Sequence, residues 1–446
     1  MRKLCLCLAL VSLLGLGGQA FAVINTIDAV PAATLLLPYF EVDIDDPEGV
    51  TTLFSINNAS AAAVLAHVTV WSDQSVPVLD FDVYLTGFDV QTINLRDILV
   101  GGDLPRTASS GQDPNGANIN VGISPRGIAS ADINYTSCSA LPYAVDGSIS
   151  ASFLNHLQEV LQGNPSPTVP APNCYGSRKQ DDILRGYVTV DTVNACNLFF
   201  PSDYAQYGPF LTNQNVLWGD YFHVNSRENF AQGETLVHIE ACPAERILVT
   251  NPIGGTAGAV EIIPPGTPCF APGQHTFYGR YNLATADDQR EPLPTTMAAR
   301  YLNGGVFNGG TDFLVWREAN ELDSPYSCNN DGPAWWPLEA TQIVIFDERE
   351  QPVTIDECPS GDPTCEQEVS IPDEAQRVDV AVDLLAPFNF GWVWLNLRHA
   401  DTVYPDGLAQ MWLETVMDAE GRFSVGYDGI QLDNANRPHT VSIPVN

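Results

Sequence analysis

Short runs in which apolar and polar residues alternate recur along the chain, broken by Asp, Gly, Pro and Ser. Asp80-Phe-Asp-Val-Tyr-Leu85 and Thr92-Ile-Asn-Leu95 place apolar side chains on one face and polar ones on the other, because successive strand residues point to opposite sides. Enriched in Val, Ile, Thr and aromatics, these runs predict strands from Val64 to Trp71, Val78 to Leu85 and Val90 to Leu95. Strands apolar on one face suit antiparallel sheets packed face to face, each burying a single side. A helical period appears once, in Ser150 to Leu161 (SASFLNHLQEVL). There Phe153, Leu154, Leu157, Val160 and Leu161 form one stripe and predict an amphipathic helix over 150–161.

The strand runs fall into two matching series. Gln91 to Leu99 (QTINLRDIL) is echoed by Gln376 to Leu385 (QRVDVAVDLL), each an alternating strand pattern ending in Asp and two aliphatics. Thr52 to Ile56 matches Thr311 to Val315, and His67 to Trp71 matches Gln342 to Phe346 without a gap through to Pro77 and Pro352. Gly186 to Asp191 matches Gly391 to Asn396, after which Pro201, Ala205 and Gln206 keep the spacing of Pro405, Ala409 and Gln410. Collinear matches of this kind imply duplication. The expected fold is all-β, with two related (duplicated) antiparallel β-sandwich domains, Ig-like or jelly-roll-like. Domain 1 covers residues 23–240, with an insertion over 100–185 that carries the helix. Domain 2 covers 241–446, in which 241–300 is a candidate connecting segment. Binding loops sit on excursions from a rigid scaffold, so the 100–185 insertion and the Glu318 to Glu339 segment are where function is expected.

The first residues change the picture of location. Arg2 and Lys3 precede the apolar run Leu4 to Leu16, and Ala20-Phe-Ala22 has the small-x-small form of a cleavage site. Residues 1–22 therefore read as a signal peptide, and the protein as exported: periplasmic, cell-surface or extracellular. No later stretch approaches the ~20 apolar residues that span a bilayer, so membrane insertion is not expected. Removing Arg2 and Lys3 takes the formal charge from −35 to −37, which repels phosphate backbones and disfavours nucleic acid as a partner. The eight cysteines after the signal read as disulfides in an oxidising compartment. Cys358 with Cys365 and Cys242 with Cys269 are the expected pairs, while the connectivity of Cys138, Cys174, Cys196 and Cys328 stays open.

Candidate chemistry is sparse. The chain contains no H-E-x-x-H, G-x-S-x-G or P-loop, and its histidines lack metal-ligand spacing. No catalytic residue and no cofactor is assigned, apart from Ca²⁺ as a candidate. Asp43, Asp45, Asp46 and Glu48 on a turn with Gly49 form a carboxylate ladder of the kind that suits Ca²⁺, which takes six to eight oxygen ligands. The Asp356 to Glu368 loop is a second, weaker acidic cluster. Trp335 and Trp336 are the candidate carbohydrate contacts, since exposed tryptophans stack on sugar rings.

The runs Ala33 to Asp43 (ATLLLPYFEVD), Thr52 to Ser60 (TLFSINNAS) and Asn215 to Asp220 (NVLWGD) resemble a group of exported bacterial proteins with no activity assigned to them. That resemblance spans most of the mature chain and implies export without any site residue. The expectation is a non-enzymatic surface or extracellular protein, structural or adhesive, whose partners are further copies of itself or a cell-surface polysaccharide. The alternatives are a carbohydrate-binding protein, or a secreted hydrolase of glycosidase or amidase type on tandem β-sandwiches.

Overall fold

The computed structural model describes residues 30–105, 128–129, 148–166, 173–177, 179, 181–242, 246–250, 259–263, 270, 274–282, 287–318, 326–327, 343–354, 371, 373–396, 409–422, 424–428 and 430–434. The first half contains β1 (Thr34–Asp43), β2 (Thr51–Asn58), β3 (Ala62–Ser72), β4 (Pro77–Leu85), β5 (Val90–Asn94), α1 (Leu95–Leu99), β6 (Ile128–Ala129), α2 (Ala151–Leu161) and β7 (Asn173–Cys174). It continues with β8 (Ile183–Val193), α3 (Tyr204–Tyr207), β9 (Leu217–Trp218), β10 (Asp220–Asn225), β11 (Phe230–Thr235) and β12 (Val237–Ile239). A hairpin of β13 (Arg246–Thr250) and β14 (Ala259–Ile263) precedes the second half. There follow β15 (Pro294–Leu302), β16 (Gly310–Arg317), β17 (Tyr326–Ser327), β18 (Ile343–Asp347), β19 (Pro352–Thr354), β20 (Ala375–Asp379), β21 (Phe390–Asn396), β22 (Met411–Asp418), β23 (Ser424–Asp428) and β24 (Ile430–Asn434).

The chain is all-β, and the principal sheets come in two pairs. In the first half one sheet runs β12-β1-β8-β3-β4 and the other β11-β10-β2-β5; in the second half they run β24-β15-β21-β18-β19 and β23-β22-β16-β20. Position by position, the two orders are the same. The pairing registers coincide as well at the positions matched in sequence. Phe54 faces Ile93 as Phe313 faces Val378, and Ser72 faces Gly186 as Asp347 faces Gly391. The turns that follow share a left-handed residue, Ser75 at φ 62° and Glu350 at φ 60°. At Gly186 an added Cβ would lie 1.9 Å from the Trp71 carbonyl oxygen, and at Gly391 it would lie 2.0 Å from that of Phe346. Glycine is thus required at one place in both sandwiches for the same steric reason.

The stretch Gln91–Leu99 departs from the strand expectation. Its strand ends at Asn94, and Leu95–Leu99 forms the short helix α1. Asn94 Oδ1 accepts from Arg96 N at 3.1 Å and caps the turn, while Leu95, Ile98 and Leu99 bury one helical face. The counterpart of Asn94 is Asp379, whose carboxylate accepts from Ala381 N and Val382 N at 2.8 and 3.0 Å. Both sandwiches therefore close the strand with a capped turn. Helix α2 lies where its period places it, with Ser150 as N-cap and Leu157, Val160 and Leu161 buried in the core of the first sandwich. Farther along the insertion, β7 pairs with β17, joining it to the Glu318 to Glu339 segment of the second half.

Two cores result. One fills the first sandwich, with Leu35, Leu37, Phe40, Val68 and Val190 among its members. The other fills the second sandwich and extends across the junction to Leu36, Tyr39, Trp71 and Tyr187, which project from the opposite face of the first sandwich's β1-β8-β3 sheet. That sheet is consequently buried on both sides, which explains why β1 reads as an almost unbroken apolar run.

Candidate functional site

The junction between the sandwiches forms in three layers. At its centre Trp71 stacks on Tyr187 and Tyr281, with centroids 5.4 and 5.9 Å away, and Trp316 meets Tyr187 edge-on at 6.0 Å. Around these rings lies a buried polar layer. Arg280 donates to both oxygens of Glu374 at 2.6 and 2.9 Å and to Ser75 Oγ at 2.7 Å. Arg290 reaches Asp191 at 3.2 Å, and Asp191 also accepts from Tyr207 and Tyr278 hydroxyls at 2.8 and 2.7 Å. The turn between β3 and β4 enters the second sandwich here, and the Asp73 carbonyl accepts from Glu374 N at 2.8 Å.

The third layer is an open cleft of about 570 Å³. β1 contributes Tyr39 and Glu41, β8 contributes Arg185, β16 contributes Asp312, and β20 contributes Ala375, Gln376, Arg377 and Asp379; Lys179, Asp181, Asp373 and Asp383 complete the rim. Its cations are engaged by carboxylates of the same chain. Arg377 donates to Asp312 at 2.6 Å and to Glu41 at 3.2 Å, Arg185 clasps both oxygens of Asp181 at 2.8 Å, and Lys179 reaches Asp373 at 2.7 Å. Asp373 also accepts from Gln74 Nε2 and Ser177 Oγ.

These contacts set the charge states. Burial acts to raise the Glu41 carboxyl, but Arg377, His223 and Arg185 outweigh it and hold the group below the usual range. Burial, with the charge of Glu41, pushes the Tyr39 phenol well up. Burial also raises Asp312 against the pull of Arg377. Asp73 is raised well above an ordinary carboxylate by burial and by the charge of Asp373. Beneath the same network burial lifts Glu318 to about 7 and lowers Arg317 to about 10. Chemically, the arrangement clamps one sandwich to the other across compensated charges, its carboxylates already holding donors from their own chain.

The residues singled out in the sequence lie elsewhere. Asp43 accepts from Asp45 N and Asp46 N at 3.0 and 2.9 Å, and Asp46 accepts from Glu48 N at 3.0 Å while pairing with Arg227 at 2.6 Å. The ladder is therefore folded as a self-capped turn beside β1. Among the described residues, no group of three or more His, Cys, Asp or Glu side chains converges as a metal site. Trp335 and Trp336, the Asp356 to Glu368 loop, and Cys138, Cys269, Cys328, Cys358 and Cys365 lie outside the described residues, as does the signal segment 1–22. Cys196 and Cys242 are each engaged in a disulfide. Sequence reasoning missed the junction itself, although the two-sided apolar character of β1 was its trace. Comparison with family models, with curated proteins and with solved structures returned no match.

Proposed function

We propose that the protein is an exported, non-enzymatic structural or adhesive component of the cell surface or extracellular space, in which the two sandwiches act as one rigid body. The observation that carries this reading is the junction. Its aromatic core is continuous with that of the second sandwich, and its ionic groups are spent on holding the halves together. A catalytic cleft instead keeps a poised acid, base or nucleophile directed at a substrate. The signal-like first residues and the bonded Cys196 and Cys242 agree with an oxidising, extracytoplasmic location. The partners that fit are further copies of the chain or a surface polysaccharide, with Ca²⁺ at the Asp43 turn as the candidate ion.

Fractionation of producing cells tests the reading. Recovery with the cell surface or extracellular matrix, in sedimenting complexes, is the expected result. Recovery as a free periplasmic monomer would contradict it.

A further inference from the structure

The contact that joins the two sandwiches is made between unlike surfaces. The first sandwich offers the outer face of β1, β8 and β3, with Tyr187 and Trp71 at its centre. The second offers one end, where Trp316 closes β16 and Glu374 and Ala375 open β20. Because the sandwiches share strand order and register, each surface has a counterpart on the other half. Tyr187, Thr189 and Trp71 correspond to Trp392, Trp394 and Phe346 on the outer face of β21 and β18. Trp316 and Ala375 correspond to Asn57 and Val90, which face one another across β2 and β5 as Trp316 and Ala375 do across β16 and β20.

Both counterparts carry apolar surface that their own sandwich does not need. On β21, Trp392 and Trp394 are half-buried on the outward side and Phe390 is 41% exposed. The guanidinium of Arg300 lies 5.7 Å from the Trp392 ring. At the other end Val90 is 59% exposed and Phe88 is 70% exposed. Phe88 also stands at φ 57°, a left-handed conformation that a bulky non-glycine residue adopts only at a cost. A costly backbone presenting a large apolar side chain to solvent contributes nothing to folding and points to use elsewhere.

We propose that a second copy of this chain docks its Phe88 and Val90 end onto the Trp392 and Trp394 face, repeating between molecules the contact already made within one. This proposal deepens the structural reading above and rests on it. The interface is heterologous, so each docked copy leaves one free face and one free end, and the assembly grows head to tail unless the rotation closes a ring. The chain's formal charge of −35 opposes this growth, and salt relieves it by screening.

Sedimentation velocity on the purified exported chain tests the proposal, at concentrations up to a few hundred micromolar and in low and high salt. The parent should form oligomers that grow with concentration and with salt. Phe88→Asp suits the left-handed position, and Trp392→Glu places a charge at the counterpart of Tyr187, the centre of the receiving face. Each alone should weaken association by about tenfold or more, with melting unchanged. Mixed together, the two variants retain one intact end and one intact face, and should form a dimer that grows no further. A parent that stays monomeric at every concentration and salt overturns the proposal, as does a Phe88→Asp variant that assembles like the parent. Binding of a surface polysaccharide by a monomeric parent, lost in Trp392→Glu, would assign the face to sugars and also overturn it. Should Trp392→Glu melt early, Val90→Arg paired with Arg300→Glu provides a second test of the same surfaces. Recovery of a monomeric parent with the cell envelope would leave the structural role standing and remove only self-docking.

Discussion

Replacing Glu374 by Gln should be the most damaging single change at the junction. Glu374 is fully buried, and Arg280, 5% exposed, binds both its oxygens at 2.6 and 2.9 Å. The same carboxylate offsets the burial of Arg317, whose guanidinium burial otherwise drives toward deprotonation. Glu374→Gln therefore leaves two buried cations without their shared countercharge. Removing one partner of a buried pair costs about 3–5 kcal/mol, and Glu374→Gln is expected at the upper end of that range. Arg280→Met strands only Glu374, which keeps the influence of Arg317, so the loss should be closer to the about 1.5–3 kcal/mol of a charged hydrogen bond. Urea unfolding followed by circular dichroism measures both, with stability extrapolated linearly to water. A Glu374→Gln loss below about 1 kcal/mol, or a larger loss for Arg280→Met, would mean that Glu374 is not the shared countercharge of the two arginines.

Two further outcomes are expected. Burial raises the Glu318 pKa to about 7, so the folded state binds that proton more tightly than the unfolded chain, and stability is lost as pH rises from about 4.5 to about 7. Glu318→Gln should then stabilise the protein at pH 8 by on the order of 3 kcal/mol and give no gain near pH 4.5; a pH-independent effect in urea titrations would contradict this. Gly186→Ala and Gly391→Ala should each destabilise by at least about 1–3 kcal/mol, since each Cβ would strike a backbone oxygen of the neighbouring strand. Thermal melts that spared either one would break the equivalence drawn between the two sandwiches.

Much of the fold was legible because its signals are local. Glycine at 186 and 391, the gapless match through Pro77 and Pro352, and the paired glutamines 91 and 376 all recur in the strand registers. The α2 stripe predicted both the helix and the face it buries. The end of β5 was misread because alternation continues into Leu95, although Leu95, Ile98 and Leu99 already carry helical spacing behind a capping Asn94. The junction was not legible. Arg280 and Glu374 lie 94 residues apart, and Arg290 reaches Asp191 across 99 residues, so no window of sequence holds both partners. The matching blocks marked equivalent strands without revealing that one sandwich's face covers the other's end.

Differential scanning calorimetry on the exported chain probes the fusion of the two sandwiches, because a core shared across the junction should make them unfold together. A shared core gives a single transition whose calorimetric and van't Hoff enthalpies agree. Two separated transitions, with the lower one unmoved by Glu374→Gln, would contradict a fused two-sandwich body.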